Sequence, residues 1–197
     1  YCFQKFKPLS LIILCCALWS CGAGKASKSA IIQFNYLDDY IIPENLYFEN
    51  TEIGGLSGID FDGENYYVVC DNSSKPRFYQ IQIKTHQEKI DTIIFDKLIQ
   101  LQHKSDFIKK NKFDLESILF NAEKNQFVLS SEGSIKNKKN PSIITVDAEG
   151  NYLSHYPLPS YFKVEGKQQP RSNRVFESLS HAIHKKGIWT ATEFPLT

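Results

Sequence analysis

From about Thr51 onwards the chain is filled with short runs in which apolar and polar residues alternate, separated by turns of Gly, Asn, Asp and Lys, and these runs recur. Gly55-Leu56-Ser57-Gly58-Ile59 leads to Tyr66-Tyr67-Val68-Val69-Cys70-Asp71. Leu115-Glu116-Ser117-Ile118-Leu119 leads to Gln126-Phe127-Val128-Leu129-Ser130-Ser131-Glu132, and Phe176-Glu177-Ser178-Leu179-Ser180 leads to Gly187-Ile188-Trp189-Thr190-Ala191-Thr192-Glu193. Each copy reads as a strand, a polar turn, a second strand and a terminal carboxylate. Ser57, Glu116 and Glu177 are 59 and 61 residues apart, and both Glu116 to Glu132 and Glu177 to Glu193 span 16 residues. A fixed period of this kind decides the architecture.

The text between the copies supplies further strands. Arg77 to Ile83 and Ile90 to Phe95 complete a four-stranded unit after the first copy. Ser142 to Val146 and Tyr152 to Tyr156, joined by the turn Asp147-Ala148-Glu149-Gly150-Asn151, complete a second. The stretch Lys97 to Lys112 reads as a loop or a short surface helix, and Ile31 to Ile42 as an outer strand able to close a ring. Four antiparallel strands returning about every 60 residues predict an all-β fold, a partial β-propeller with about three blades of a larger ring. A sandwich accounts for the strands but not for an acid returning at the same place in each unit. Position 1 is Tyr and no Met occurs, so the chain is read as a piece of a longer protein, its other blades lying beyond Thr197 or in another chain.

Charge and the N-terminus set the surroundings. Twenty-three Lys and Arg against 22 Asp and Glu leave no global field to draw the protein to nucleic acid or an anionic membrane surface. Lys5 and Lys7 precede an apolar run from Leu9 to Trp19, too short to span a bilayer, so residues 1–20 read as a signal peptide. Leu18-Trp19-Ser20-Cys21-Gly22 resembles a bacterial lipobox in which Cys21 receives the lipid, and residues 21–30 form a flexible tether to a domain over 31–197. The expected location is the cell envelope, in the periplasm or at the outer membrane of a bacterium, with the lipid as the one membrane contact. An ordinary secretory signal with an incidental Cys is the alternative. Cys70 lies in an apolar strand, where it serves as a small buried hydrophobe.

In a hairpin the start of the first strand and the end of the second share one end. Glu116 is therefore expected beside Glu132, Glu177 beside Glu193, and Asp71 beside Ser57 and Glu52. Carried round an axis, these acids gather at one mouth of a channel, where their repulsion calls for a cation or raises their pKa values. Oxygen-rich, His-poor surroundings favour calcium over zinc. The competing reading is that each Glu merely caps a strand or pairs with a loop Lys or Arg. Arg77 and Arg174, flanked by apolar residues, are the candidates for holding an anion, while Lys136 to Lys139 read as a solvated loop. Other templates are weak: no HExxH or GxSxG occurs, and a Ser-His hydrolase built on Ser57 or Ser178 has little support.

Several of these motifs occur together in one order: Gly54-Gly55-Leu56-Ser57-Gly58-Ile59-Asp60, Asp71 with Arg77-Phe78-Tyr79, Asp114-Leu115-Glu116-Ser117-Ile118, Ser130-Ser131-Glu132-Gly133, Pro157-Leu158-Pro159, and Asn173-Arg174-Val175-Phe176-Glu177-Ser178-Leu179. In that order the chain resembles the phytase-like family known as "esterase-like activity of phytase". The resemblance implies a secreted or lipid-anchored propeller related in name to calcium-using phosphoester hydrolases. Glu116-Ser117 stands where many relatives carry Glu-Gly. Together these readings assign catalysis to Glu116 and Glu177, metal binding to Asp71, Glu132 and Glu193, substrate binding to Arg77 and Arg174, calcium as cofactor, and a small anionic ester as substrate. The alternatives are a non-catalytic propeller that binds a glycan, peptide or partner protein, and, more distant, a lactonase-like propeller.

Overall fold

A computed structural model describes residues 32–166, 169–183 and 187–196. The signal peptide, Cys21 and the tether lie outside the described residues. The chain divides into a stretch up to Tyr36, of which residues 32–36 are described and carry no strand, and a compact unit from Leu37 to Thr197.

The compact unit is all-β apart from one α-helix and short 3-10 turns among the described residues. A small hairpin, β1 (Tyr47–Phe48) and β2 (Thr51–Glu52), precedes three larger antiparallel sheets. The first is ordered β3 (Leu56–Phe61), β4 (Tyr66–Cys70), β5 (Arg77–His86) and β6 (Lys89–Gln100). The second is ordered β7 (Leu115–Asn121), β8 (Gln126–Ser131), β9 (Ser142–Val146) and β10 (Tyr152–His155). The third holds β11 (Phe176–His181) and β12 (Ile188–Thr192). These are the four-stranded meanders that the repeat predicts.

Two expectations change. Strand β6 runs on to Gln100 because Leu98 and Ile99 continue the ladder opposite Tyr79 and Phe78, so the connection between sheets starts later than Lys97. Its short helix is α1 (Asp106–Lys110), capped by Ser105, whose hydroxyl accepts the Ile108 N–H. The second change is at residues 32–42, which form no strand. Asp38 meets the first sheet through its carboxylate, which takes the Ile90 N–H at 2.7 Å, and not through a backbone ladder. The turn at Asp147–Asn151 forms as read: Gly150 has φ +80°, and Asp147 Oδ1 accepts the N–H groups of Glu149 and Asn151.

The main core lies between the first two sheets. Val69 and Phe78 from one side meet Leu115, Ile118, Phe127, Leu129 and Ile144 from the other, with Ile108 and Phe113 sealing one end. Alternate residues of each strand face this layer, as period-two patterning requires. A second cluster on Val68, Tyr79 and Ile81 is covered by the β1–β2 segment, and a third joins Leu119, Val128 and Ile143 to Val175 and Phe176.

The first strands of the three sheets stand side by side, and side chains stitch them where backbone ladders do not. Ser57 Oγ donates to the Leu115 carbonyl at 2.8 Å, and Asp60 accepts the Phe120 N–H. Ser117 Oγ accepts the Leu179 N–H at 3.1 Å, and His181 Nε2 lies 2.9 Å from the Phe120 carbonyl oxygen. Gly58 permits the close approach of β3 to β7: a Cβ there would sit 2.7 Å from the Glu116 carbonyl oxygen and 2.8 Å from Ser117 Cα. The inner strands thus place one end of all three hairpins together.

Candidate functional site

Each of the three hairpins carries the same irregularity at that shared end. The register shifts between Leu56 and Gly58, between Leu115 and Ser117, and between Phe176 and Ser178. The extra residue is Ser57, Glu116 and Glu177 in turn, so the three aligned positions are β-bulges, which re-aim a side chain and bend its strand. Beyond each bulge the chain closes identically. The N–H of Asp71 donates to the Gly55 carbonyl, that of Glu132 to Asp114 and that of Glu193 to Val175, at 2.8, 3.0 and 3.0 Å. A bulge plus this closing bond turns a spacing of 16 residues into spatial neighbours.

The acids from the second and third sheets converge. Asp114, Glu116 and Glu132 each offer a carboxylate oxygen within 4.8 Å of the others, and so do Glu132, Glu177 and Glu193. Glu132 belongs to both groups. It is 3% exposed, and its Oε1 accepts the Val175 N–H at 2.5 Å, so the third sheet fixes the carboxylate that the second supplies.

Electrostatics reflect the crowding. Burial, followed by the charges of Glu177, Glu132, Asp114 and Asp71, pushes Glu116 up from 4.5 to about 8. Burial also raises Glu132 to about 7; the Val175 N–H opposes the shift, while Glu177 and Asp114 add to it. Glu177 is raised by burial and by Glu193, and Asp114 by burial and by Asp71, with Lys112 pulling it back. Glu132 and Glu177 also share a side-chain hydrogen bond, which requires a proton on one of them. Shifts of this size arise where carboxylates are crowded together and shielded from water, so that each disfavours the charge of the next.

The donor set suits a hard ion. It is all carboxylate, it offers two overlapping three-residue groups, and no His or Cys takes part. Among the described residues Arg174 makes an ion pair with this cluster, its Nη1 3.3 Å from Glu193 Oε1 while its guanidinium lies over the Phe194 ring at 4.0 Å. Arg174 therefore stands at the rim of the acid cluster, partly exposed.

The other expected residues fall differently. Asp71 is exposed and outside both three-residue groups, although its charge acts on Asp114 and Glu116, and Gly55 leaves it room: a Cβ there would fall 1.8 Å from its Oδ1. Arg77, the other candidate for an anion, is held by a hydroxyl and two main-chain carbonyls. It is 2% exposed, its Nε donates to the Tyr79 hydroxyl at 2.6 Å, and Nη1 and Nη2 donate to the carbonyls of Lys75 and Glu52. Through these three bonds Arg77 ties the β1–β2 segment to β5. Asp114 is the acid that the repeat did not single out as a ligand. Its counterparts in the other copies are Gly55 and Val175, so a search for acids recurring at equivalent positions passes over it.

The family model described as "Phytase-like: Esterase-like activity of phytase" matches residues 51–197. No curated protein and no solved structure matches the chain.

Proposed function

The chain belongs to the phytase-like family described as "esterase-like activity of phytase", and from that premise we propose that it is a metal-assisted hydrolase of phosphate esters or other esters. The observation carrying this reading is the pair of three-carboxylate groups joined through Glu132. A hard divalent cation, calcium by donor type, would be held by Asp114, Glu116 and Glu132 and by Glu132, Glu177 and Glu193; when bound, it supplies Lewis acidity and neutralises charge building up on a phosphoryl or acyl oxygen.

The chain's own groups divide the remaining work. Glu116, set on its bulge within the cluster, would accept a proton from water or return one to a leaving oxygen. Glu177, on the neighbouring bulge beside Glu132 and Glu193, would orient the attacking water. Arg174 offers a planar pair of donors to an anionic substrate at the rim. Glu132, anchored by Val175, keeps the two groups in fixed relation. Further blades would complete the ring around these residues, and Cys21, lipidated, would hold the protein at the cell envelope.

The test is turnover of p-nitrophenyl phosphate, bis-p-nitrophenyl phosphate and p-nitrophenyl acetate with calcium and with chelator. The proposal expects calcium-dependent release of p-nitrophenol, lost in Glu116→Gln and Glu177→Gln. Absence of turnover on all three substrates, with calcium present and the fold intact, overturns it.

A further inference from the structure

Read along the chain, Lys136 to Lys139 are a solvated loop, but the structure joins that loop to two other basic segments. Helix α1 and the residues after it carry Lys109, Lys110 and Lys112, the connection from β8 to β9 carries Lys136, Lys138 and Lys139, and the chain after β10 carries Lys163. Lys139 Nζ donates to the Lys110 carbonyl at 2.8 Å, and Asn140 Oδ1 accepts the Val164 N–H at 2.8 Å. A cavity of about 260 Å³ has Phe107, Asn111, Asn140, Pro141 and Lys163 in its walls, so all three segments meet round it. Lys112 is half-buried and the other six lysines are exposed.

Charge is concentrated there. Residues 105–112, 134–141 and 159–166 hold seven lysines against Asp106 and Glu165, a surplus of five positive charges in a chain whose whole surplus is one. The remainder of the chain is therefore net negative, and the field of the lysines is local. Of the seven, Lys110 alone has an ion pair among the described residues, to Asp106 at 4.0 Å, with both side chains more than three-quarters exposed, where such a pair contributes little. The main chain frames the middle segment: Ser134 and Lys139 exchange backbone hydrogen bonds at 3.0 Å each, and the Asn137 amide donates to Ser134 Oγ at 2.9 Å. That frame fixes the backbone beneath the lysines, so less conformational entropy is lost when they grip a ligand. Ammonium groups are point charges that take phosphate or carboxylate without a fixed geometry, and lysines spread over three segments suit anions repeated along a chain better than one compact ion. A flat anionic membrane fits less well. All three segments enter or leave the second sheet at the end that carries the acid cluster, so a layer of headgroups would also approach Glu177 and the exposed Glu193. A flexible chain can follow the lysines and bypass the acids.

From these observations we infer that the lysine surface at this end of the second sheet binds a flexible anionic polymer, a chain bearing phosphate or carboxylate on successive units, with Lys109, Lys136, Lys138 and Lys163 as its main contacts. The inference does not depend on ester hydrolysis or on metal in the acid cluster. Its test is the binding of the full chain to end-labelled long-chain polyphosphate and polygalacturonate, followed by fluorescence anisotropy in chelator, so that no ion bridges polymer to carboxylates. Both polymers should bind, and affinity should fall about a hundredfold between about 50 and 200 mM salt, as counterion release from about five contacts requires. The triple variant Lys109→Gln, Lys136→Gln, Lys138→Gln should weaken binding at least about tenfold at the lower salt and flatten the salt dependence, with the melting temperature unchanged. Lys84→Gln, Lys89→Gln, Lys124→Gln makes the same change of charge at the opposite end of the sheets and should alter binding by no more than about threefold, those charges being screened. Three results overturn the inference: neither polymer bound by folded protein at the lower salt; equal weakening by the two triple variants, which would leave net charge as the cause; or polymer binding unchanged in the first variant while its binding to phosphatidylglycerol vesicles is lost, which would assign the lysines to a membrane.

Discussion

Replacing Glu132 by Gln separates the two costs that the acid cluster carries. The amide keeps an oxygen for the Val175 N–H, so the anchor at 2.5 Å survives, while the charge shared by both carboxylate groups is lost. In chelator the charge is a burden. The pKa of Glu132 rises from 4.5 to about 7 on folding, so the folded protein holds a proton that the unfolded chain has released. A raised carboxylate favours the folded state fully below the unfolded pKa and loses that contribution as pH rises through the folded one, here from about 4.5 to about 7. The ceiling on the loss is about 3 kcal/mol at pH 8, taking 1.36 kcal/mol for each pKa unit. Glu132→Gln should recover much of this, raising the melting temperature in chelator by as much as about 5–10 °C at pH 8 and by little at pH 4. With calcium the order reverses: the parent gains stability from bound ion, and the variant, having lost the ligand common to both groups, gains far less. Calorimetry at both pH values, in chelator and in millimolar calcium, reads all four quantities. A variant less stable than the parent in chelator at pH 8, or one stabilised by calcium as strongly as the parent, would refute the reasoning.

Other outcomes follow from the same structure. Because Glu116 and Glu132 titrate near 8 and 7, calcium binding at pH 7 should release about one to two protons, falling towards none at pH 9.5; a pH-stat titration measures this, and release that does not change with pH would contradict it. Gly58→Ala drives a Cβ into the backbone of β7 and should cost about 1–3 kcal/mol in urea unfolding, while Gly63→Ala, with open space around it but a φ of +105°, tests conformational strain alone. Arg77→Lys removes the part-buried bonds to the carbonyls of Glu52 and Lys75 and leaves the Tyr79 hydroxyl without its Nε partner, and should destabilise by about 1–3 kcal/mol in urea unfolding; a raised KM for p-nitrophenyl phosphate in folded protein would place Arg77 at the substrate.

How far the site could be read from residues alone depended on which signal each feature leaves. The hairpins and the gathering of Glu116, Glu132, Glu177 and Glu193 at one end were legible, since strand alternation and a repeated spacing both survive in the text. The bulges were not. An extra residue at Ser57, Glu116 and Glu177 shows only once the facing strand is known, yet it is what aims these side chains. Asp114 escaped because it has no acidic counterpart at Gly55 or Val175, and its contribution arises from the closing bond with Glu132. Flanking apolar residues mark Arg77 as buried equally well whether its guanidinium meets a ligand or main-chain carbonyls. The bond to the Glu52 carbonyl appears only once the β1–β2 segment is laid across β5. The extent of β6 likewise depends on its pairing with β5, which the sequence does not display.

The most direct test of the account is a crystal structure of the protein soaked with calcium or terbium, with anomalous scattering used to place the ions. The account expects density at about 2.3–2.6 Å from oxygens of Glu132 and of Glu116, Glu177 or both. Ions absent from this cluster at saturating concentration, or bound only to carboxylates elsewhere on the surface, would contradict it.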